Sequence, residues 1–367
     1  MNGPSDWAGR HEETTPSEAL SRIDEWHDSG KPFFTKESIR EVHDQLREQP
    51  KSGDRLLVKG LDGVDVAFEI RRGDRRACND NDELTYQVEQ PGIEYVSYQS
   101  LKARIQSNRE SPHLAFCNLR IQHTLTRRSL ATGKEVLDFD LRSQDVVSHV
   151  FDTALRIWEE SEAWAQVKTT ILFSPAATKV RKIIGLGCGT MGLPDGIPHF
   201  SYGPAFQHAF LLTMKRLLQE NCIGEIMCGV QDPMYSDKDR VALGVRGIVV
   251  LDDPKGFLEV DDTSLVFACA PDVPVKQIVA DIARPAVLIW DRVEEEDLQR
   301  PVLLTDPDSD RVRKMISQSY DTVDFPRDEN FGDTVMYIRR ESSAPQKSTT
   351  NLDPSTRGLL APSSHTD

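Results

Sequence analysis

Four short stretches hold the residue types that could do chemistry. The first is Gly187-Cys188-Gly189-Thr190, directly after the apolar run Lys182–Leu186. Its glycines permit positive φ and a close backbone approach to a bound group, or simply a tight strand exit with no ligand. The second is Asp232-Pro233-Met234-Tyr235, at the end of another apolar run. An acid there either binds ribose hydroxyls or accepts backbone N–H bonds in the turn before the proline. Tyr235 offers a stacking face or covers the sheet end. The third is Ala270-Pro271-Asp272, where Asp272 is expected to cap a helix that has Pro274 in its first turn. The fourth is the helix start "PAFQHAFLLTMKRLL". Gln207 shares a stripe with Leu211, Met214 and Leu218 and should point inward, either satisfying free backbone groups or bonding a polar ligand. His208, on the stripe of Leu212, Lys215 and Gln219, should be more exposed, and no sequence-local carboxylate orients it as a base.

The elements around these stretches alternate. Strands are expected at Lys182–Leu186, Glu225–Val230, Gly247–Leu251, Leu265–Ala270 and Ala286–Trp290, with helices at Pro204–Gln219, Asp237–Leu243 and Pro274–Ala283 between most of them. Strands alternating with helices imply right-handed crossovers, hence an α/β fold: a Rossmann-like, mostly parallel sheet with helices on both faces. In such sheets ligands sit beyond the carboxyl ends of the strands, where the strand order reverses. Ser236 and Asp239 form a capping-box variant for the helix after Asp232. In the third helix Gln277 and Asp281 fall four apart on a polar face. A helix near Asp310–Ser319 and a strand at Thr334–Arg339 complete the domain, assigned to residues 141–341, which opens with a helix over Ser143–Trp164 bearing a stripe of Val146, Val150, Ala154 and Trp158.

Residues 1–30 are polar and acidic, and residues 342–367 are of low complexity, so both termini are expected to be disordered. Between them, residues 31–140 suggest a small α+β appendage: a helix at Lys36–Glu48, a hairpin turning at Asp62-Gly63, and strands near Thr85–Val88 and Ile93–Ser97.

A net charge of −15 argues against general attraction to nucleic acid, and the basic "TLTRRSL" around Arg127 and Arg128 is taken as a solvated turn. No apolar run approaches the roughly 20 residues of a membrane span. The six cysteines form no CxxC pair, which suits reduced core residues of a cytoplasmic or nuclear protein rather than a metal site.

"LGCGTM" is close to the glycine loop of adenosylmethionine-dependent methyltransferases, yet departs from it. Gly185 stands where an acid is expected and Met191 replaces the closing glycine, while "GLPDGIPHFSYG" separates the loop from the next helix. Taken as an ordered set, "GLGCGT", "FQHAFLLTMKRLL", "CGVQDPMYSDKDRVAL" and the run from Gly247 to Val293 resemble the SRR-like domain, named after the plant "sensitivity to red light reduced" protein, and are nearest its fungal branch. The matching positions are Gly185, Gly187, Gln207, His208, Asp232, Pro233, Tyr235, Gly256, Phe257 and Pro271. The chain departs from plant and animal members at Ala270-Pro271-Asp272, where they show "PHC", and at "IWDRV", where they show a "GNSF"-like end. The resemblance implies a Rossmann-like regulatory protein, with family members tied to light and clock signalling in plants and to growth and conidiation in filamentous fungi. It brings no assigned reaction or cofactor. The alternative is an adenosylmethionine- or nucleotide-using enzyme, its cofactor held by the Gly187–Gly189 loop and Asp232. The candidate crevice on either reading is Gly185, Gly187, Gly189, Gln207, Asp232, Tyr235, Pro271 and Asp272, occupied by a small ligand or serving an unidentified protein partner.

Overall fold

A computed structural model of the chain describes residues 14–78, 83–107, 111–137, 139–194, 203–221, 224–294 and 304–341. Its N-terminal part runs α1 (Pro16–Asp28), α2 (Lys36–Arg47), β1 (Arg55–Lys59), β2 (Asp65–Glu69), β3 (Arg75–Ala77), β4 (Leu84–Tyr95), α3 (Tyr98–Gln106) and β5 (Leu119–Ser129). The remainder is α4 (Gln144–Glu159), α5 (Glu162–Leu172), β6 (Lys182–Leu186), α6 (Pro204–Asn221), β7 (Met227–Gln231), α7 (Asp237–Gly244), β8 (Val249–Val250), α8 (Lys255–Glu259), β9 (Ser264–Ala268), α9 (Val275–Ile282), β10 (Val287–Asp291), α10 (Asp310–Ser319), β11 (Tyr320–Asp324) and β12 (Thr334–Arg339).

Seven strands form the central sheet, in the order β11-β12-β10-β9-β6-β7-β8. From β8 to β10 all neighbours are parallel, whereas β12 runs antiparallel to both β10 and β11. The chain steps outward from β6 to β7 and β8, then returns to the other side of β6 as β9. That reversal opens a crevice beyond the ends of β6 and β9. Side chains alternate between the two faces, as the strand period of two requires. Leu265, Phe267, Val287 and Ile289 join one apolar cluster with α4 and α6. Val266, Ala268, Leu288 and Trp290 join the other, with α9 and α10. Each large side chain enclosed this way contributes roughly 1.5–3 kcal/mol.

The strands and helices expected from Lys182 onward all occur, with ends displaced by a few residues, and β11 joins them as an unexpected edge strand. The helix expected over Ser143–Trp164 is two helices, because the Ser161 side chain caps α5 by accepting from Trp164 N. Its buried stripe is Val147, Phe151, Ala154 and Trp158, while Val146 is exposed.

The N-terminal part departs further from expectation. Residues 1–13 and 342–367 lie outside the described residues, but residues 16–28, expected to be disordered, form α1 behind a complete Thr15–Glu18 capping box. The expected hairpin at Asp62-Gly63 joins β1 and β2, and the two expected later strands are one, β4. Arg128 lies in β5 and bonds Glu89 at 2.7 Å, so this stretch is a strand end rather than a turn. Instead of standing apart, these elements dock on α8, α9 and α10. Asp281 accepts from Phe33 N at 2.7 Å and Phe34 N at 3.1 Å, and also pairs with Arg311. Gln277 accepts from Tyr98 N at 3.1 Å, and Lys36 Nζ donates to Leu258 O at 2.8 Å. Apolar residues from α1 to β5 belong to the same cluster as the sheet face above α9. No helix of the described residues is long and apolar enough to cross a membrane.

Candidate functional site

A cavity of about 760 Å³ lies at the reversal point. That volume is in the range of small-molecule sites. Gly187, Gly189, Gln207, Asp232, Pro271 and Asp272 all line it. The remaining candidates do not. Gly185 sits within β6, where an added Cβ would fall 2.7 Å from Leu211 Cδ1, so its role is to let α6 pack on the sheet. Tyr235 is buried behind the wall with His208.

His208 is a correction to the expected exposure: none of it reaches the surface. The first turns of α6 are enclosed nearly all round, between α4, the sheet and the loop bearing Tyr235. His208 Nδ1 lies 2.5 Å from Pro204 O, which can only accept, so Nδ1 carries the proton. Nε2 therefore accepts from the Tyr235 hydroxyl at 2.7 Å. Burial pushes the histidine pKa down to about 4. With both nitrogens engaged and the ring neutral, His208 serves as a strut between α6 and the Asp232 loop.

The glycine loop is held by carboxylates. Gly187 and Gly189 have φ of 69° and 70°. Gly189 N donates to Asp232 Oδ2 at 2.7 Å, and Met234 N donates to its Oδ1 at 2.8 Å. Burial raises the Asp232 pKa and these two bonds oppose the rise. Asp239, fully buried in the expected capping box, accepts from Met191 N at 2.9 Å and from the Thr190 hydroxyl at 2.6 Å. Gly187 N donates to Gln231 O at 3.0 Å, and Gly192 N to Thr190 Oγ1 at 2.9 Å. Opposite, Asp272 does not cap α9. The helix starts at Val275, and Asp306 Oδ1 accepts from Lys276 N at 3.0 Å in the place a cap would hold. Asp272 is thereby left exposed at the cavity.

Two further acceptors belong to residues of the lining. Gln207 is only 2% exposed, and its Oε1 has no hydrogen-bond partner among the described residues. Asp253, at the end of β8, was not singled out in the sequence, although "LDDP" carries the same strand-end acid signal as Asp232. Its Oδ1 accepts from Tyr95 and from Gln231 Nε2, at 2.9 and 2.8 Å. The surrounding protein pushes its pKa up to about 6, although its surface opens to the cavity. Gln231 Oε1 takes Gly256 N at 2.6 Å, and an added Cβ on Gly256 would meet that oxygen at 2.8 Å. Tyr95, Ile93, Gln90 and Gln122 bring β4 and β5 into the lining. Nothing local in the sequence marks these four, since only the docking of the N-terminal part carries them there.

The nucleophile candidates at the wall are quiet. Cys188 and Cys269 are buried; burial drives the first well above its ordinary pKa and the second to about 12. Among the described residues no three His, Cys, Asp or Glu side chains gather as around a metal ion.

No curated protein matches the chain. Among solved structures, an O-methyltransferase family protein from Burkholderia thailandensis is similar over 54% of this chain and 60% of that one, at 12% identity and a TM-score of 0.31. The chain thus spans under two thirds of that protein's length. Residues 142–338 match the SRR1 domain, and they contain the glycine loop, the Gln207 helix and the loops ending β7 to β9. On that match, which covers more than half of its 367 residues, the chain belongs to the SRR1 domain family.

Proposed function

We propose that the chain is a regulatory protein that binds a small ligand in the crevice between β6 and β9 and catalyses no reaction there. The observation that carries this reading is the shared wall. Tyr95, Gln90 and Gln122 from the N-terminal part and Asp232, Asp253 and Gln207 from the SRR1 domain border one cavity. A ligand touching both stabilises their docked arrangement, which is how occupancy becomes a signal. His208 is engaged and the cysteine thiols stay protonated, so neither serves as base or nucleophile, and Asp253, the remaining oriented carboxylate, is assigned to ligand binding. The SRR-like resemblance supports a role in growth, developmental or clock regulation, in the cytoplasm or nucleus, read out through a protein partner.

A transferase using adenosylmethionine is the second reading, favoured by one observation: Asp232 ends the strand beside the glycine loop, where ribose hydroxyls bind in dinucleotide sites. Thermal melting of the full chain with adenosylmethionine, nicotinamide dinucleotides, ATP and haem separates the outcomes. A binder of the native state present at 100 times its Kd adds about 2.7 kcal/mol, a shift of several degrees. Turnover of a bound compound overturns the regulatory reading in favour of the second. No shift from any of them overturns both.

A further inference from the structure

Resting on that reading of the crevice, we infer that it takes a positively charged, non-phosphorylated small molecule, whose cationic centre and polar hydrogens meet Asp253, Asp232 and Gln207. The first argument is what the glycine loop does with its amides. A phosphate cradle needs backbone N–H groups pointing at the anion. Here Gly187, Gly189, Met191 and Gly192 donate to Gln231, Asp232, Asp239 and Thr190, all within the protein. The loop has the backbone shape of an anion site, but these four donors, unlike the intervening amides of Cys188 and Thr190, are already satisfied within the protein. Asp232 in particular occupies the position beside Gly189 N that a phosphate oxygen would take.

The second argument is charge. Among the described residues the lining carries three carboxylates, Asp232, Asp253 and Asp272, and one guanidinium, Arg142. Arg142 Nη1 is itself engaged with Met191 O at 3.2 Å. A phosphate would enter against a net negative wall, whereas a cation gains from it. Asp253 Oδ2 has no hydrogen-bond partner among the described residues, so one oxygen of this carboxylate remains to receive a donor.

The third argument is independent of the acids. A buried carbonyl oxygen without a partner costs roughly 1–3 kcal/mol, and native structures rarely leave one empty. Gln207 Oε1 is such an oxygen, on a side chain at the cavity wall. The oxygen is itself enclosed, so a ligand N–H or O–H removes that cost by a turn of the Gln207 amide toward the cavity. Tyr95 lends a partly exposed aromatic edge to the same lining, which suits a cation and its apolar body together.

The test is calorimetric titration of the full chain at pH 7.5 with two cations, S-adenosylmethionine and spermidine, and two anions, ATP and pyrophosphate. At least one cation is expected to bind and neither anion. Asp253→Asn should weaken the cation at least fivefold, and Gln207→Leu should do the same by a route that leaves charge untouched. Asp252→Asn, at an exposed neighbour paired with Arg240, should change it less than twofold. If circular dichroism shows Asp253→Asn unfolded, Gln207→Leu alone decides. Binding of ATP or pyrophosphate as tight as the cations overturns the charge assignment while leaving a ligand crevice standing. Failure of both cations, or a loss under fivefold in the folded variants, also overturns it. If the wider set of compounds under Proposed function gives no melting shift either, the crevice reading falls with it.

Discussion

The Tyr95 hydroxyl donates to Asp253 Oδ1 at 2.9 Å, joining the last residue of β4 to the loop that ends β8. This bond favours the ionised carboxylate, against the burial that raises its pKa to about 6. Tyr95→Phe is therefore expected to raise the Asp253 pKa further. Affinity for a cationic probe rises as Asp253 ionises, with a midpoint near pH 6 in the native chain. In Tyr95→Phe the midpoint moves upward and the affinity at pH 6.5 drops several-fold. Titrations from pH 5 to 8 check it, and an unmoved midpoint counts against the coupling. Above that midpoint the bond is to a charged acceptor and is worth roughly 1.5–3 kcal/mol of stability.

His208 gives a pH effect on stability. Its folded pKa, about 4, lies below the ordinary 6.5, because burial disfavours the imidazolium. Between those values the unfolded chain binds a proton that the native chain does not. Its contribution is complete above pH 6.5 and is lost as pH falls toward 4, by up to roughly 3 kcal/mol. Urea unfolding of the wild type and His208→Gln across pH 4–7.5 should show the difference between them shrinking at the acid end. Parallel curves would contradict the assigned neutral tautomer.

Gly187→Ala tests the contact between the first and third loops. An added Cβ would stand 2.8 Å from Pro271 Cβ, at a φ of 69° that L side chains rarely adopt. The backbone penalty alone is roughly 1–2 kcal/mol, and displacing Pro271 adds to it. Equilibrium unfolding should show a loss of at least that size. Gly63→Ala, at a φ of 81° with open space around it, should show the backbone penalty alone.

Asp281→Ala addresses the docking of the N-terminal part. It removes the acceptor for Phe33 N and Phe34 N and leaves Arg311 without its carboxylate. Breaking a buried pair on one side costs about 3–5 kcal/mol. Amide exchange should accelerate first in α1 and α2, before β6 and β9, and retained protection in α1 would show that the docking does not depend on this residue.

The central strands were legible because parallel strands covered on both faces are continuous apolar runs; β6 and β12 fall on the expected residues. β11 escaped notice, since Tyr320–Asp324 follows α10 without a turn residue and carries exposed polar positions. At the site, the strand-end rule brought Gly187, Gly189, Asp232, Pro271 and Asp272 to one cavity. Periodicity set Gln207 inward but misplaced His208, because it reports one helix's stripe and not a loop packed over its other side. Asp272 was read as a cap from its spacing, whereas the cap comes from Asp306, more than thirty residues along the chain.

The wall formed by β4 and β5 separates two kinds of boundary. Inheritance is counted over residues 142–338, where the family signature is written. Shared packing runs from α1 onward, since Ile23, Phe34, Tyr95, Phe257 and Trp290 belong to one apolar cluster. A fragment cut at Arg142 keeps every motif by which the chain is recognised. It also exposes the flanks of α8 to α10 and leaves the cavity open on one side, so its silence toward a ligand would describe the cut and not the protein.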